Sequence, residues 1–247
     1  MMHNCYADFA AYYDRLIRQD INYEQWADYI ENLFARYGLN PDLVCDLACG
    51  TGNITLPLSR RGYDMIGVDR SAEMLAAARE KPGGERILFL NQDMTHLDLY
   101  GTADAFLCMI DGFNYILQPQ ALLRMLRRIK SCFLNPGGIL IFDVSSQYKL
   151  STILGNNTFI YDTDAIFYTW ENHYIQSKHL CDMELNFFIK EHGRYKRFRE
   201  RHLQRAYSAA ELAGLLRKAG FSKIEAFGEL SFAPPAENSS RIVFTAR

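Results

Sequence analysis

Between residues 43 and 144, short apolar runs alternate with stretches in which apolar residues recur every three or four positions. That rhythm marks strands alternating with helices, and hence an α/β unit on a parallel sheet with right-handed crossovers. Runs at 43–47, 64–69, 87–90, 103–110 and 139–144 predict five strands, and the nearly unbroken apolar run at 103–110 reads as a central strand covered on both faces. Helices are predicted at 53–61, at 72–80 behind the N-cap Ser71, and at 119–133. Pro57 lies deep enough in the first of these to cost a hydrogen bond or bend the axis. Upstream, Trp26, Ile30, Leu33, Phe34 and Tyr37 form one stripe of a helix over 23–37, capped by Asn22 and stopped by Gly38. The set Tyr6, Phe9, Tyr12, Tyr13, Leu16 and Ile17 predicts a further helix at 6–21.

After residue 145 the rhythm changes. Runs at 159–161, 165–171, 180–189 and 195–203 are rich in aromatic and β-branched residues, and His192-Gly193 reads as a hairpin turn, which predicts an antiparallel insertion. A capping box at Ser208 and Glu211 opens a last helix that Gly220 ends. Runs at 224–227 and 242–246, joined through Pro234-Pro235 without a helix, predict two closing antiparallel strands. The expected organisation is a helical cap at 1–42, an α/β domain made of 43–144 and 207–247, and an insertion at 145–206. That insertion stands over the carboxyl edge of the sheet as a substrate lid.

Composition narrows the function. The 247 residues carry 27 basic and 29 acidic side chains, net −2, so no global field draws the chain to nucleic acid or an anionic membrane. A small-molecule partner is the expectation, with the protein a monomer or homodimer. The six cysteines, at 5, 45, 49, 108, 132 and 181, form no C-x-x-C pair and read as reduced thiols of a cytoplasmic protein without a metal site. No signal peptide and no membrane-spanning run is read in the sequence.

Candidate chemistry begins at 44–52, V-C-D-L-A-C-G-T-G. Here an acid ends a strand, two glycines follow one residue apart, and a helix starts: a turn at which a ligand can lie against the backbone and face unpaired N–H groups. Asp69 ends the next strand, so both carboxylates fall at the sheet edge where ligands of open α/β folds bind. A dinucleotide fingerprint would need a third glycine, and Asn53 or Thr55 stands there instead. An NAD(P)-dependent oxidoreductase or epimerase is thereby disfavoured, though it would use the same corner.

The series Asp46-x-Ala48-x-Gly50-x-Gly52 resembles motif I of the class I S-adenosylmethionine (SAM) methyltransferases. The resemblance implies a Rossmann-like seven-stranded sheet, mostly parallel with the last strand reversed, and SAM as cofactor with S-adenosyl-L-homocysteine (SAH) as product. It implies a cofactor set of Tyr13, Asp46, Ala48, Gly50, Gly52, Asp69, Met74, Asp93 and Met94, with Asp69 on the ribose hydroxyls and the acid of Gln92-Asp93-Met94, or its neighbour, on the adenine amino group. D-G-F-N-Y at 111–115 lies at the catalytic edge, giving Asn114 and Tyr115 as substrate contacts, and it lacks the [N/D]-P-P-[Y/F] of enzymes that methylate base amines. L-N-P-G-G at 134–138 is similar to the family's turn into its fifth strand.

Within the family the chain is similar to bacterial sugar-amine N-methyltransferases. It shares their Y-D segment, an antiparallel insertion, and H-x-x-R-x-[YF]-[ST], here from His202 through Arg205 to Ser208. His202, Tyr13 and Asp111 are the rival bases, and Arg205 is a further substrate contact. The six basic residues of 194–205 read either as a solvated strand face or as a site for an anionic substrate group. Alongside a small-molecule N- or O-methyltransferase stand a non-catalytic SAM-binding regulator and an enzyme acting on protein or RNA, the last needing a broad groove.

Overall fold

The computed structural model describes residues 21–191 and 193–247. The aromatic segment from Tyr6 to Ile17, Tyr13 included, lies outside the described residues, as does His192 of the predicted turn. Five parallel strands, β1 (Leu43–Leu47), β2 (Asp64–Asp69), β3 (Leu88–Asn91), β4 (Ala103–Cys108) and β5 (Leu134–Ser145), are closed by the antiparallel pair β10 (Ile224–Gly228) and β11 (Arg241–Ala246). The order β3-β2-β1-β4-β5-β11-β10 puts β1 and β4 at the centre. Successive residues of these strands feed opposite faces, as the two-residue period requires. Cys45, Phe106 and Leu140 join the core beneath helices α4 (Pro119–Arg128) and α5 (Ala209–Ala219). Val44, Ala105 and Ile141 join the one beneath α1 (Tyr23–Arg36), α2 (Thr55–Arg60) and α3 (Ala72–Glu80).

The helix caps follow the sequence, with Asn22, Ser71 and Ser208 each accepting the expected backbone N–H. Several boundaries differ from expectation: the strand expected over 103–110 ends at Cys108, and three others have a local cause. Helix α2 starts at Thr55, so Pro57 sits in its first turn, where the missing N–H costs nothing. The helix after Pro119 ends at Arg128 and passes into a π-helical turn, Ile129–Phe133. Strand β5 begins at Leu134, because the N-P-G-G segment is absorbed in a register shift between Ala103 and Ala105 of β4.

The insertion is a four-stranded antiparallel sheet of β6 (Thr158–Asp162), β7 (Ile166–Ile175), β8 (Leu180–Glu191) and β9 (Arg194–Arg205), in that order. Its inner face packs Ile166, Phe187 and Phe198 around Met74 of α3, and Tyr174, Cys181 and Met183 around Leu150 and Leu154. On β9 the even positions 198, 200, 202 and 204 are buried and the odd positions face outward. Arg197, Arg199 and Arg201 of the basic stretch therefore face outward, Arg199 pairing with Glu184 and Arg201 with Asp182 of β8.

At the carboxyl edge of β4 and β5 the buried guanidinium of Arg241 bonds Asp143, Asp111 (2.8 Å) and Glu229 (3.3 Å). Removing one partner from such a cluster strands the others in a site with little water. Arg241→Ala is expected to lower unfolding stability by roughly 3–5 kcal/mol, read by chemical denaturation; a loss below about 1 kcal/mol would contradict this account of the cluster.

Candidate donor cleft and catalytic edge

The turn after β1 is built around its glycine loop. Gly50 has φ +56°, and a Cβ placed on it would meet no atom within 4 Å, so bare backbone faces open space. Its N–H donates to Asp69 Oδ2 (2.8 Å), while Asp69 Oδ1 accepts the N–H of Ser71 (2.8 Å). One carboxylate thus pins the glycine loop to the turn that starts α3. From behind, Lys81 Nζ bonds the Thr51 carbonyl (2.6 Å) and Asn53 Oδ1 (2.8 Å). Across the loop, a Cβ on Gly112 would lie 2.6 Å from Cys108 Sγ and 3.2 Å from Ala48 Cβ. Only glycine lets the segment after β4 approach so closely.

These segments enclose a cleft whose empty space, open mouth included, is about 1070 Å³. Of the residues singled out in the sequence, Asp46, Ala48, Gly50, Asp69, Met74, Asp93, Met94 and Tyr115 line it. Gly52, Asp111, Asn114, His202 and Arg205 are not among its lining residues. Asp46 is 2% exposed. Burial pushes its carboxyl up to about 7, against the Thr55 Oγ1 hydrogen bond (2.6 Å) that favours the anion and with Asp69 adding repulsion. Burial also raises Asp69, opposed by the N–H groups of Ser71 and Gly50.

Thr55, which stands where a dinucleotide site would want its third glycine, was not singled out in the sequence as a partner of Asp46. The signal was present in that very departure from the fingerprint. Ile110 and Arg70 also line the cleft and lay outside the motifs considered; Gly112 lines it too and belongs to the D-G-F-N-Y stretch, but was not singled out within it.

The catalytic edge separates into anchoring groups and groups that face the cleft. Asn114 is fully buried and ties strand ends together: its Nδ2 donates to the carbonyls of Ser145 (3.0 Å) and Arg205 (2.9 Å), and its Oδ1 accepts from Ser145 N (2.9 Å). Asp111 accepts from Gln204 Nε2 (2.7 Å) in addition to its ion pair with Arg241. Burial raises its carboxyl, but the Arg241 and Lys149 charges outweigh that and hold it below the usual carboxylate range. Arg205 pairs with Glu211 (3.1 Å) and lies over the Tyr207 ring. Among the described residues, His202 meets the cleft lining at Tyr115, whose hydroxyl is 3.1 Å from Nδ1. Burial drives the imidazole down to about 4, so it is neutral at physiological pH.

Among the described residues, no group of three or more His, Cys, Asp and Glu side chains is placed to hold a metal ion, and no helix is long and apolar enough to cross a membrane.

A family described as methyltransferase domain matches residues 44–138. The chain is 32% identical over 246 residues to the "Putative methyltransferase YqeM" of Bacillus subtilis, covering 98% of this chain and 96% of that protein. It is similar to the crystal structure of an S-adenosylmethionine-dependent methyltransferase from Clostridium acetobutylicum, at 35% identity and TM-score 0.89 over 99% of each chain. The sugar N-methyltransferase KedS8 from Streptoalloteichus shares the fold at 20% identity and TM-score 0.78, with 95% of this chain and 91% of that one covered.

The buried histidine gives the site a measurable pH signature. In the unfolded chain His202 protonates near 6.5, while the native site resists protonation until about 4. Its contribution is therefore complete above 6.5 and is lost as the pH falls towards 4. At pH 4 the loss is roughly 3 kcal/mol. Denaturation curves at pH 7 and pH 4 should show a smaller acid loss in His202→Gln than in the wild type; equal losses would mean that the imidazole is not buried neutral.

Proposed function

The chain belongs to the class I SAM-dependent methyltransferases, and from that premise we propose that it transfers the methyl group to a nitrogen or oxygen atom of a small molecule. The observation that carries the small acceptor is the roof over the catalytic edge. The inner face of β9 meets that edge directly, His202 on Tyr115 and Gln204 on Asp111, which favours a covered approach over a broad groove. The net charge of −2 likewise gives nucleic acid no hold. In this reading the insertion is the substrate lid.

The residues present suit the donor. A backbone cradle open at Gly50 and two carboxylates on one wall suit a ligand with an amino-acid end, ribose hydroxyls and a purine. We assign the glycine loop to the amino-acid end and Asp93 with Met94 to the adenine edge. Asp69 takes the ribose hydroxyls: its oxygens each accept one backbone N–H, and a carboxylate offers about four acceptor sites. Met74 packs the insertion against the same wall. Tyr13, implied by resemblance to close over the cofactor, lies outside the described residues.

Bound there, SAM supplies a methyl group electrophilic enough for direct displacement, with no covalent enzyme intermediate. The protein's part is to hold the acceptor in line and keep water out. Tyr115 is the member of the Tyr115–His202 pair that meets the cleft; because burial keeps the imidazole unprotonated until about 4, His202 is read as orienting the Tyr115 hydroxyl rather than as the final proton acceptor, and Asp111 is held by Arg241 and Gln204. An amine on a sugar-like body is the finer form of the proposal. The fold shared with KedS8 and the H-x-x-R-x-[YF]-[ST] stretch at 202–208 support it.

Calorimetric titration with SAM and SAH, followed by a screen of amines and amino sugars for SAH release, tests the reading. Micromolar binding of both and turnover of at least one small acceptor are expected. Asp69→Ala should weaken SAM by roughly 1.5–3 kcal/mol, the worth of a charged hydrogen-bond partner, and Gly50→Val should abolish binding. Wild-type affinity in either folded variant, or binding of NAD(P)H alone, would contradict the site.

A further inference from the structure

Two carboxylates close neighbouring strands of one cleft wall, and their surroundings differ. Asp69 is held by two backbone N–H groups, and Arg70 on the cleft lining acts on it. Asp46, on the adjacent parallel strand, has a single neutral partner, the Thr55 hydroxyl, and among the described residues no cation within ion-pair distance. The other titratable groups around it are the thiols of Cys45, Cys49 and Cys108, which burial holds above the ordinary thiol range and therefore uncharged at neutral pH, and Asp69 itself. A carboxylate so enclosed is costly as an anion until positive charge arrives; the ammonium of the amino-acid end is common to SAM and SAH, so the charge that differs between them is the sulfonium.

The reaction changes the charge of the group in the cleft. When the methyl carbon leaves sulfur, the C–S electron pair stays on sulfur, the new bond forms to the acceptor atom, and a sulfonium becomes a neutral thioether; the acceptor's proton departs. We propose that Asp46 tells donor from product by that charge: as an anion it favours the sulfonium-bearing ligand, and once the sulfonium is gone it takes up a proton and holds the product less tightly. The inference rests on the cleft being the donor site proposed above. Burial that places Asp46 near neutrality, at about 7, leaves its protonation balanced where a nearby charge can tip it. By linkage, whatever the sulfonium does to the proton, the proton does to the sulfonium.

The test needs no acceptor. The intact protein is titrated calorimetrically with SAM and with SAH at pH 6, 7 and 8, in two buffers of different ionisation enthalpy, so that proton release is read beside affinity. SAM should release more protons at pH 7 than SAH. The ratio Kd(SAH)/Kd(SAM) should rise by about fivefold from pH 6 to pH 8 if the sulfonium shifts Asp46 by one unit. Asp46→Asn should bind SAH yet lose both the extra proton release and the pH dependence of the ratio. Thr55→Val, which removes the bond favouring the anion, should move the transition to higher pH, a displacement that a purely structural role would not produce. Equal proton release for the two ligands, a ratio flat with pH, or an unchanged profile in Asp46→Asn would overturn the proposal. Failure of both ligands to bind the wild type would instead overturn the donor site on which it rests.

Discussion

The carboxylate of Asp143 holds the turn on which both halves of the site depend. It accepts the consecutive N–H groups of Ile110 (2.5 Å) and Asp111 (3.0 Å), and Arg241 anchors it from the first residue of β11. Both residues of that turn are left-handed, at φ +58° and +55°, and one is β-branched. Such conformations cost about 1–3 kcal/mol each and persist only where the surroundings over-determine them. Here the fully buried Asp143 and the bond from Arg241 to Asp111 supply that constraint. The result is the close approach of Gly112 to the glycine loop and the delivery of Tyr115 to the cleft. A buried ion pair of this kind contributes less to net stability than to fixing one arrangement.

From that turn the site is wired in two directions. Towards the glycine loop, Gly112 meets Ala48, and the loop beyond is pinned by Asp69 to the start of α3. Towards the insertion, Asp111 and Asn114 receive the end of β9 through Gln204 and the Arg205 carbonyl, while Tyr115 receives His202. The insertion therefore touches the Rossmann-like sheet at its carboxyl edge, and through Met74 it also touches the wall of the cleft.

Much of this was legible in local sequence. The alternation of strand and helix, the caps at Ser71 and Ser208 and the D-x-A-x-G-x-G corner are short-range signals, and the structure places each where the pattern put it. The start of β5 was not legible because tertiary pairing set it, Leu134 joining through a register shift with β4, and the π-helical turn that ends α4 has no counterpart in the sequence pattern. The Asp143–Arg241 pair was invisible as a pair, since its members lie far apart in the chain, although an acid inside the run I-L-I-F-D-V at 139–144 is an anomaly in a buried strand. Arg205 illustrates the limit of motif reading. On β9 one position of parity separates the inward Gln204 from an arginine that pairs with Glu211, and parity follows from the register with β8, which composition does not reveal.

The central claim is that the cleft between the glycine loop, Asp69 and the turn after β4 receives the methyl donor. A crystal structure of the protein with SAH tests it most directly. The account predicts SAH against the Gly50 backbone with its ribose hydroxyls within hydrogen-bond reach of Asp69. SAH bound elsewhere, or in the cleft with its ribose turned away from Asp69, would contradict it.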